Sequence, residues 1–293
     1  SMNQRMYLHP STQSNLVKLR DLGYFTIGPS DGSQACGDEG PGRMTEPNEI
    51  IDHIARHCSK EIPQNLEGVN VMITAGPTRE RLDPVRYITN DSSGKQGLAI
   101  ANAAKSKGAT VTLIAGPNVE PTNPEIFRID VESAIEMNNA VQEHLKETDL
   151  FIGVAAVADY RPANSLKEKI KRHGNKSLTN LELTENPDVI ANVAKVNNRP
   201  IIVGFAAETN DPLKHAREKR IRKGMDAIIV NDVSDPSIGF NSTENAATLI
   251  HEGGEIAFAK QSKISLGAEL IDQLENIFSL SKRQKSLRQT SHA

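Results

Sequence analysis

The chain has 293 residues, with 34 lysines and arginines against 37 acidic residues and a net charge of −3. That length holds one large domain or two ordinary ones, and the slight acidic excess argues against a general nucleic-acid binder. Aromatic residues make up 4% and tryptophan is absent, so stacking platforms for bases are scarce as well. Mean hydropathy is −0.44, and no run reaches the roughly 18 apolar residues of a membrane span. Neither nucleic acid nor a membrane is therefore an expected partner. The two cysteines, Cys36 and Cys58, show neither metal-ligand spacing nor a disulfide framework. With no secretory leader read at the start, they predict a cytoplasmic location.

Residues 1–60 and 69–280 differ in kind. The first part predicts a helix over Ser11–Leu22, a glycine-rich loop over Gly28–Arg43 and a second helix over Asn48–His57. This is too little to bury a core, so residues 1–60 read as a fragment of another domain and 61–68 as a linker. From Val69 the pattern alternates. Short apolar runs predict strands at Val69–Ala75, Thr110–Ala115, Leu150–Ala155, Ile201–Ala206 and Ala227–Val230. Between and after them, Ser92–Lys107, Val131–Lys146, Pro187–Lys195 and Pro212–Lys223 predict helices, the first stopped by Gly108. Ala247–Ile250 and Glu255–Ala259 flank Glu252-Gly253-Gly254 and predict a β-hairpin. A last helix is expected over Ala268–Leu280, and 281–293 is a polar tail. The fold class is α/β: a Rossmann-like, doubly wound, mostly parallel sheet with helices on both faces and a C-terminal β-hairpin region.

The densest signal is Thr74–Gly97, where a strand opens into a polar loop holding Arg79, Arg81, Arg86 and Asn90 and then into a helix N-terminus. Such a junction presents backbone N–H groups and a helix dipole to an anion. Gly94-Lys95 is no P-loop, since Thr89 stands where that motif needs glycine and Gln96 where it needs Ser or Thr. No Gly-x-Gly-x-x-Gly follows the first strand either. Ser92 or Ser93 would cap the helix or bind an anion. Gly153–Tyr160 puts small residues at a strand end, where a ligand can approach the backbone, with Asp159 at the rim. Glu168–Arg172 is a basic loop, able to close over a phosphate or simply solvated. Asn186-Pro187 reads as an N-cap and first helical residue, and Gly204–Thr209 again places small residues at a strand end. Lys219 and Lys223 share a helix face, a like-charge arrangement suited to a polyphosphate or left in solvent. Taken together, these strand ends read as a nucleoside triphosphate site without a P-loop lysine. An NAD(P)-dependent reductase and a non-catalytic nucleotide-binding module remain alternatives on the residues alone.

These stretches, in this order, resemble the bacterial phosphopantothenoylcysteine synthetase family, the C-terminal half of a bifunctional enzyme of coenzyme A synthesis. The resemblance covers roughly Val69 to Phe278. It implies a ligase joining 4′-phosphopantothenate to L-cysteine with CTP through an acyl-cytidylate, with Mg²⁺ on the triphosphate, and it implies a homodimer. By matched position, Asn90 would hold the acyl-cytidylate carbonyl and Arg86 would sit beside it. Lys169 would contact the nucleotide phosphate. Gly153, Val154, Ala155 and Asp159 would bind the nucleoside, Pro187, Asp188, Val189, Ile190 and Phe205 would line the pocket, and Lys219 and Lys223 would take the phosphates. Gln96 stands where many relatives have methionine, with no chemical consequence expected. The hairpin at 247–259 and a strand near Leu178–Leu183 are the expected dimer contacts. Met2–Met6 and Ala35–Met44 resemble the end of the partner decarboxylase, with Asn3 as its substrate ligand and Cys36 as its proton donor. Residues 1–60 are then the truncated remnant of that domain. FMN is expected only in the intact bifunctional protein, and decarboxylation is not expected of this chain.

Overall fold

The computed structural model describes residues 1–22, 24–34, 37–58, 65–170, 180–208, 211–232 and 242–280. Cys36, the basic loop beyond Ile170 and the tail at 281–293 lie outside the described residues. The chain divides into two compact units, Ser1–Ile62 and Pro63–Ala293.

In the first unit, helices α1 (Gln4–Tyr7) and α2 (Pro10–Asp21) precede strands β1 (Ser30–Ser33) and β2 (Glu39–Arg43), and helix α3 (Pro47–Cys58) follows. The loop expected over Gly28–Arg43 is thus largely an antiparallel ribbon, with Ser33 opposite Glu39 and Gly32 opposite Gly40. The glycine at 42 has a reason: its φ is 136°, and a methyl group there would lie 2.1 Å from the Met2 carbonyl. Its own carbonyl accepts the Met2 N–H at 2.8 Å.

The second unit runs β3 (Asn70–Ala75), β4 (Arg79–Arg81), β5 (Tyr87–Thr89), α4 (Lys95–Ser106), β6 (Thr110–Ala115), β7 (Phe127–Asp130) and α5 (Ala134–His144). It continues through β8 (Leu150–Gly153), β9 (Tyr160–Pro162), β10 (Leu183–Glu185), α6 (Val189–Ala194), β11 (Ile201–Glu208), α7 (Pro212–Arg222) and β12 (Ala227–Asp232). It closes with β13 (Glu244–His251), β14 (Gly254–Ser262) and α8 (Lys263–Phe278). Eight strands form one sheet in the order β14-β13-β12-β11-β8-β3-β6-β7. The strands from β12 to β7 pair in parallel, and the β13–β14 hairpin extends the sheet antiparallel. Counted among themselves in chain order, the parallel strands lie 3-2-1-4-5-6. The winding therefore reverses between β3 and β8, which is where such sheets leave a crevice. The expected doubly wound fold with a C-terminal hairpin is what the structure has.

Alternation along the strands splits the core. Val71, Ile73 and Ala75 of β3 face one side with Ile100 of α4 and Leu266, Leu270 and Leu274 of α8. Met72 faces the other side with Met137 and Val141 of α5, Val193 of α6 and Ala216 of α7. Both faces being covered, the strands read as continuous apolar runs. Gly97 lets α4 lie close on the sheet, since a methyl group there would stand 2.6 Å from the Ala75 Cβ.

Three local expectations are corrected. Helix α4 is capped by Gly94, in the left-handed region at φ 72°, and not by Ser92 or Ser93. Helix α6 starts at Val189 with Asp188 as its cap, accepting the Ala191 N–H at 3.1 Å. Asn186 is not that cap, because its amide donates to the Ala158 carbonyl at 2.8 Å. Helix α5 begins at Ala134, where Ser133 accepts the Glu136 N–H. Strand β7 was not anticipated: it has four residues and contains no buried one.

Candidate functional site

At the carboxyl ends of the parallel strands, over the β3–β8 reversal, lies a cavity of about 600 Å³. Its floor is the turn after β8, stitched to the segment leaving β3. Val154 N–H donates to the Thr74 carbonyl at 3.2 Å and Ala156 N–H to the Gly76 carbonyl at 2.9 Å. Ala155 N–H donates to Thr74 Oγ1 at 3.3 Å and Ala158 N–H to Thr78 Oγ1 at 3.1 Å. Gly153, Val154, Ala155 and Asp159 all line the cavity. At Gly153 a methyl group would come within 3.0 Å of Ile190 Cδ1, so the absent side chain keeps this wall open.

Pro187, Asp188, Val189 and Ile190 line the next wall, with Phe205 of β11. The Asn186 N–H donates to the Asp159 carbonyl at 2.8 Å, which ties this wall to the turn after β8. Lys219 and Lys223 reach the same cavity from α7. Each faces a carboxylate: Lys223 Nζ is 2.8 Å from Asp188 and Lys219 Nζ is 3.7 Å from Glu208. Pairing across elements is what makes the like-charge spacing on α7 tolerable. Burial works to raise the Asp188 pKa, but the Lys223 ammonium, the Ala191 N–H and the Lys219 charge outweigh it and hold the carboxyl below its ordinary range.

The opposite wall is the start of α4. Asn90 and the run from Ser92 to Gly97 line it, and Gly94 places no side chain over the first helical N–H groups. An anion would find free donors and the helix dipole there. Asn90 Nδ2 donates to the Ala156 carbonyl at 2.8 Å, which fixes the amide while leaving its second N–H for a ligand.

The far end is polar and carries no local sequence motif. Gln96 Nε2 donates to the Lys263 carbonyl at 3.4 Å, Asn245 Nδ2 donates to Gln96 Oε1 at 3.2 Å, and Asn231 Nδ2 donates to Asn245 Oδ1 at 3.4 Å. Gln96 thus has a structural task that the sequence did not show. Asn231 Oδ1 is buried with no hydrogen-bond partner among the described residues. Lys263 lines the cavity at 7% exposure, and burial together with the Lys95 charge lowers its pKa. Asn231 could have been suspected from its place just after the apolar run Ala227–Val230, a strand end like the others.

Arg86 and Lys169 are not among the cavity-lining residues. Arg86, expected beside the reacting carbonyl, places its guanidinium on Asp83 and on the Ile170 carbonyl. Lys169 sits next to that fastened residue. Asn3 belongs to the first unit, where its amide donates to Asp38 at 3.1 Å and its side chain caps α1. Among the described residues no group of three His, Cys, Asp or Glu side chains is placed to hold a metal. No described helix is long and apolar enough to cross a membrane.

Residues 66–278 match the family profile described as the DNA/pantothenate metabolism flavoprotein C-terminal domain, and residues 1–59 match the flavoprotein family. The coenzyme A biosynthesis bifunctional protein CoaBC of Escherichia coli K12 is 50% identical over 278 residues, which are 94% of this chain and 68% of that protein. The Vibrio cholerae protein of the same name is 48% identical, over 92% of this chain and 67% of its own length. The crystal structure of a CoaBC C-terminal domain superposes with a TM-score of 0.63 at 33% identity, covering 74% of this chain and 98% of that one.

Proposed function

The chain belongs to the DNA/pantothenate metabolism flavoprotein family through its residues 66–278, and on that premise we propose that this domain is the phosphopantothenate–cysteine ligase of coenzyme A synthesis, working in the cytoplasm with CTP. A carboxylate does not acylate an amine at neutral pH, because its oxygen is a poor leaving group. In the first step a carboxylate oxygen of 4′-phosphopantothenate attacks the α-phosphorus of CTP, and the P–O bond to pyrophosphate breaks. In the second the cysteine amine attacks the acyl carbon, the C–O bond breaks, CMP leaves and the amine loses a proton.

One observation carries the reading. A single cavity joins a lysine pair, the open N-terminus of α4 and an exposed backbone turn at the winding reversal. The nucleoside would lie along Gly153–Ala155 and Asp159, against Ile190 and Phe205. The triphosphate would draw Lys219 from Glu208 and Lys223 from Asp188, and Lys169 would approach from its loop. Asn90 would donate its remaining amide N–H to the carbonyl of the intermediate, where charge develops. Mg²⁺ supplies charge neutralisation to the triphosphate when bound. The match of residues 1–59 supports FMN in the intact bifunctional protein. In α1 and α2 no residue is buried, and the apolar side chains of Met6, Val17 and Leu19 are exposed. Homodimerisation is assigned to the hairpin at 247–259 and the strand near Leu178–Leu183, where Leu178 lies outside the described residues and Leu181 and Leu183 are exposed, and analytical ultracentrifugation tests it.

The acyl-cytidylate has its own test. With ¹⁸O in the carboxylate of 4′-phosphopantothenate, one labelled oxygen appears in CMP. Label in inorganic phosphate, with CDP as co-product, would mean an acyl phosphate and overturn the mechanism.

A further inference from the structure

The loop that carries Lys169 is fastened by a carboxylate far away in sequence. Asp83 lies in the turn between β4 and β5 and is 1% exposed. Its Oδ1 accepts the N–H groups of Val85 and Arg86, both at 2.8 Å. Its Oδ2 accepts from Arg86 Nε at 3.0 Å and Nη2 at 2.6 Å, and from the Ile170 N–H at 3.1 Å. Arg86 Nη2 also donates to the Ile170 carbonyl at 2.7 Å. Both backbone polar groups of Ile170 are therefore held by one ion pair. A second stitch runs from the Leu166 N–H to the Leu82 carbonyl at 2.9 Å.

The turn also closes through its own backbone. Leu82 and Asp83 N–H groups already donate to the Arg86 carbonyl at 2.9 and 3.3 Å. A buried carboxylate is costly unless fully engaged, and part of what engages Asp83 comes from a residue 87 positions on. The charge makes sense as a device for holding Ile170.

We propose that Asp83 is a positioning residue for Lys169: with Arg86 it clasps Ile170 by both backbone groups and so sets where the preceding lysine can reach. This rests on the reading of Lys169 as the cation that meets the nucleotide phosphate. Neighbouring Cα atoms are about 3.8 Å apart, so a fixed Ile170 confines the root of Lys169 and leaves only its side chain to search. The place of the Lys169 backbone is settled before CTP arrives. Arg86 then serves the first step through the clasp, without touching substrate.

The test separates the half-reactions in the full chain. Pyrophosphate release from CTP and 4′-phosphopantothenate reads the first; aminolysis of chemically prepared acyl-cytidylate by cysteine reads the second. Asp83→Asn should slow the first roughly 10- to 100-fold, the scale of a misplaced group, and leave the second within about twofold. In Asp83→Asn/Lys169→Gln the first half-reaction should be no slower than in Lys169→Gln alone. Ile170→Pro removes one N–H from the clasp and leaves the turn intact. It should reproduce the effect even if Asp83→Asn fails to fold. Multiplicative losses in the double variant, or equal losses in both half-reactions, would overturn the clasp while sparing the role of Lys169. Undiminished pyrophosphate release by Lys169→Gln would overturn both.

Discussion

Asp188 does two things that one pair of substitutions separates. It caps α6 through the Ala191 N–H and pairs with Lys223 at 2.8 Å. Asparagine caps about as well as aspartate, so Asp188→Asn removes only the pair. The Asp188 side chain is 41% exposed, and solvent screening limits such a pair to about 1 kcal/mol or less. Asp188→Ala also removes the cap, worth about 1 kcal/mol more. In a domain of this size each kcal/mol moves Tm by about 2–4 °C, so Ala should lower Tm about twice as far as Asn, measured by calorimetry. The pH dependence follows from a carboxyl held below its ordinary range. Its stabilisation is complete above the unfolded pKa of about 3.9 and is lost as pH falls through the lower folded value. The gap between wild type and Asp188→Asn should be constant from neutrality to about pH 5 and close only in stronger acid. Function should move the other way. On the proposed reading Lys223 leaves Asp188 to meet a phosphate, so Asp188→Asn should leave KM for CTP unchanged or lower it by up to about fivefold, the equivalent of 1 kcal/mol. Equal Tm losses for Asn and Ala, or a tenfold rise in KM for Asp188→Asn, would contradict this double role of Asp188.

Gly97→Ala should cost about 1–3 kcal/mol by overpacking, because the new methyl group meets the Ala75 Cβ at 2.6 Å; thermal unfolding reads it. Lys263→Met should raise Tm of the ligand-free protein at neutral pH, since burial and Lys95 disfavour the ammonium. As pH rises through the lowered folded pKa toward the unfolded value of about 10.4, wild type sheds that penalty and the Tm gap should shrink. Asn90→Asp should slow aminolysis and let acyl-cytidylate accumulate, detectable by quenching and chromatography.

Much of this was legible in the chain. The apolar runs at Val69–Ala75, Thr110–Ala115 and Leu150–Ala155 contain the parallel strands β3, β6 and β8, and burial on both faces is what makes a run uniform. Small residues after Leu150–Ile152 and Ile201–Val203 marked the strand ends that the cavity uses. What escaped depended on contacts distant in sequence. Nothing near Gln96 announces Asn245, 149 residues away, and nothing near Arg86 announces the Ile170 carbonyl, 84 residues away. Helix starts failed by a different route. Ser92, Ser93 and Asn186 are good caps by type, but the Asn186 amide is committed to the Ala158 carbonyl, and the chain turns at Gly94 through a left-handed conformation that a serine would resist.

The most direct test of the ligase reading is pyrophosphate release by the purified chain with 4′-phosphopantothenate and Mg²⁺, supplied with CTP or ATP, with and without cysteine. Release with CTP should require phosphopantothenate, stop near one equivalent without cysteine and become sustained with it. Binding of CTP by the folded protein with no pyrophosphate from either nucleotide would contradict that reading.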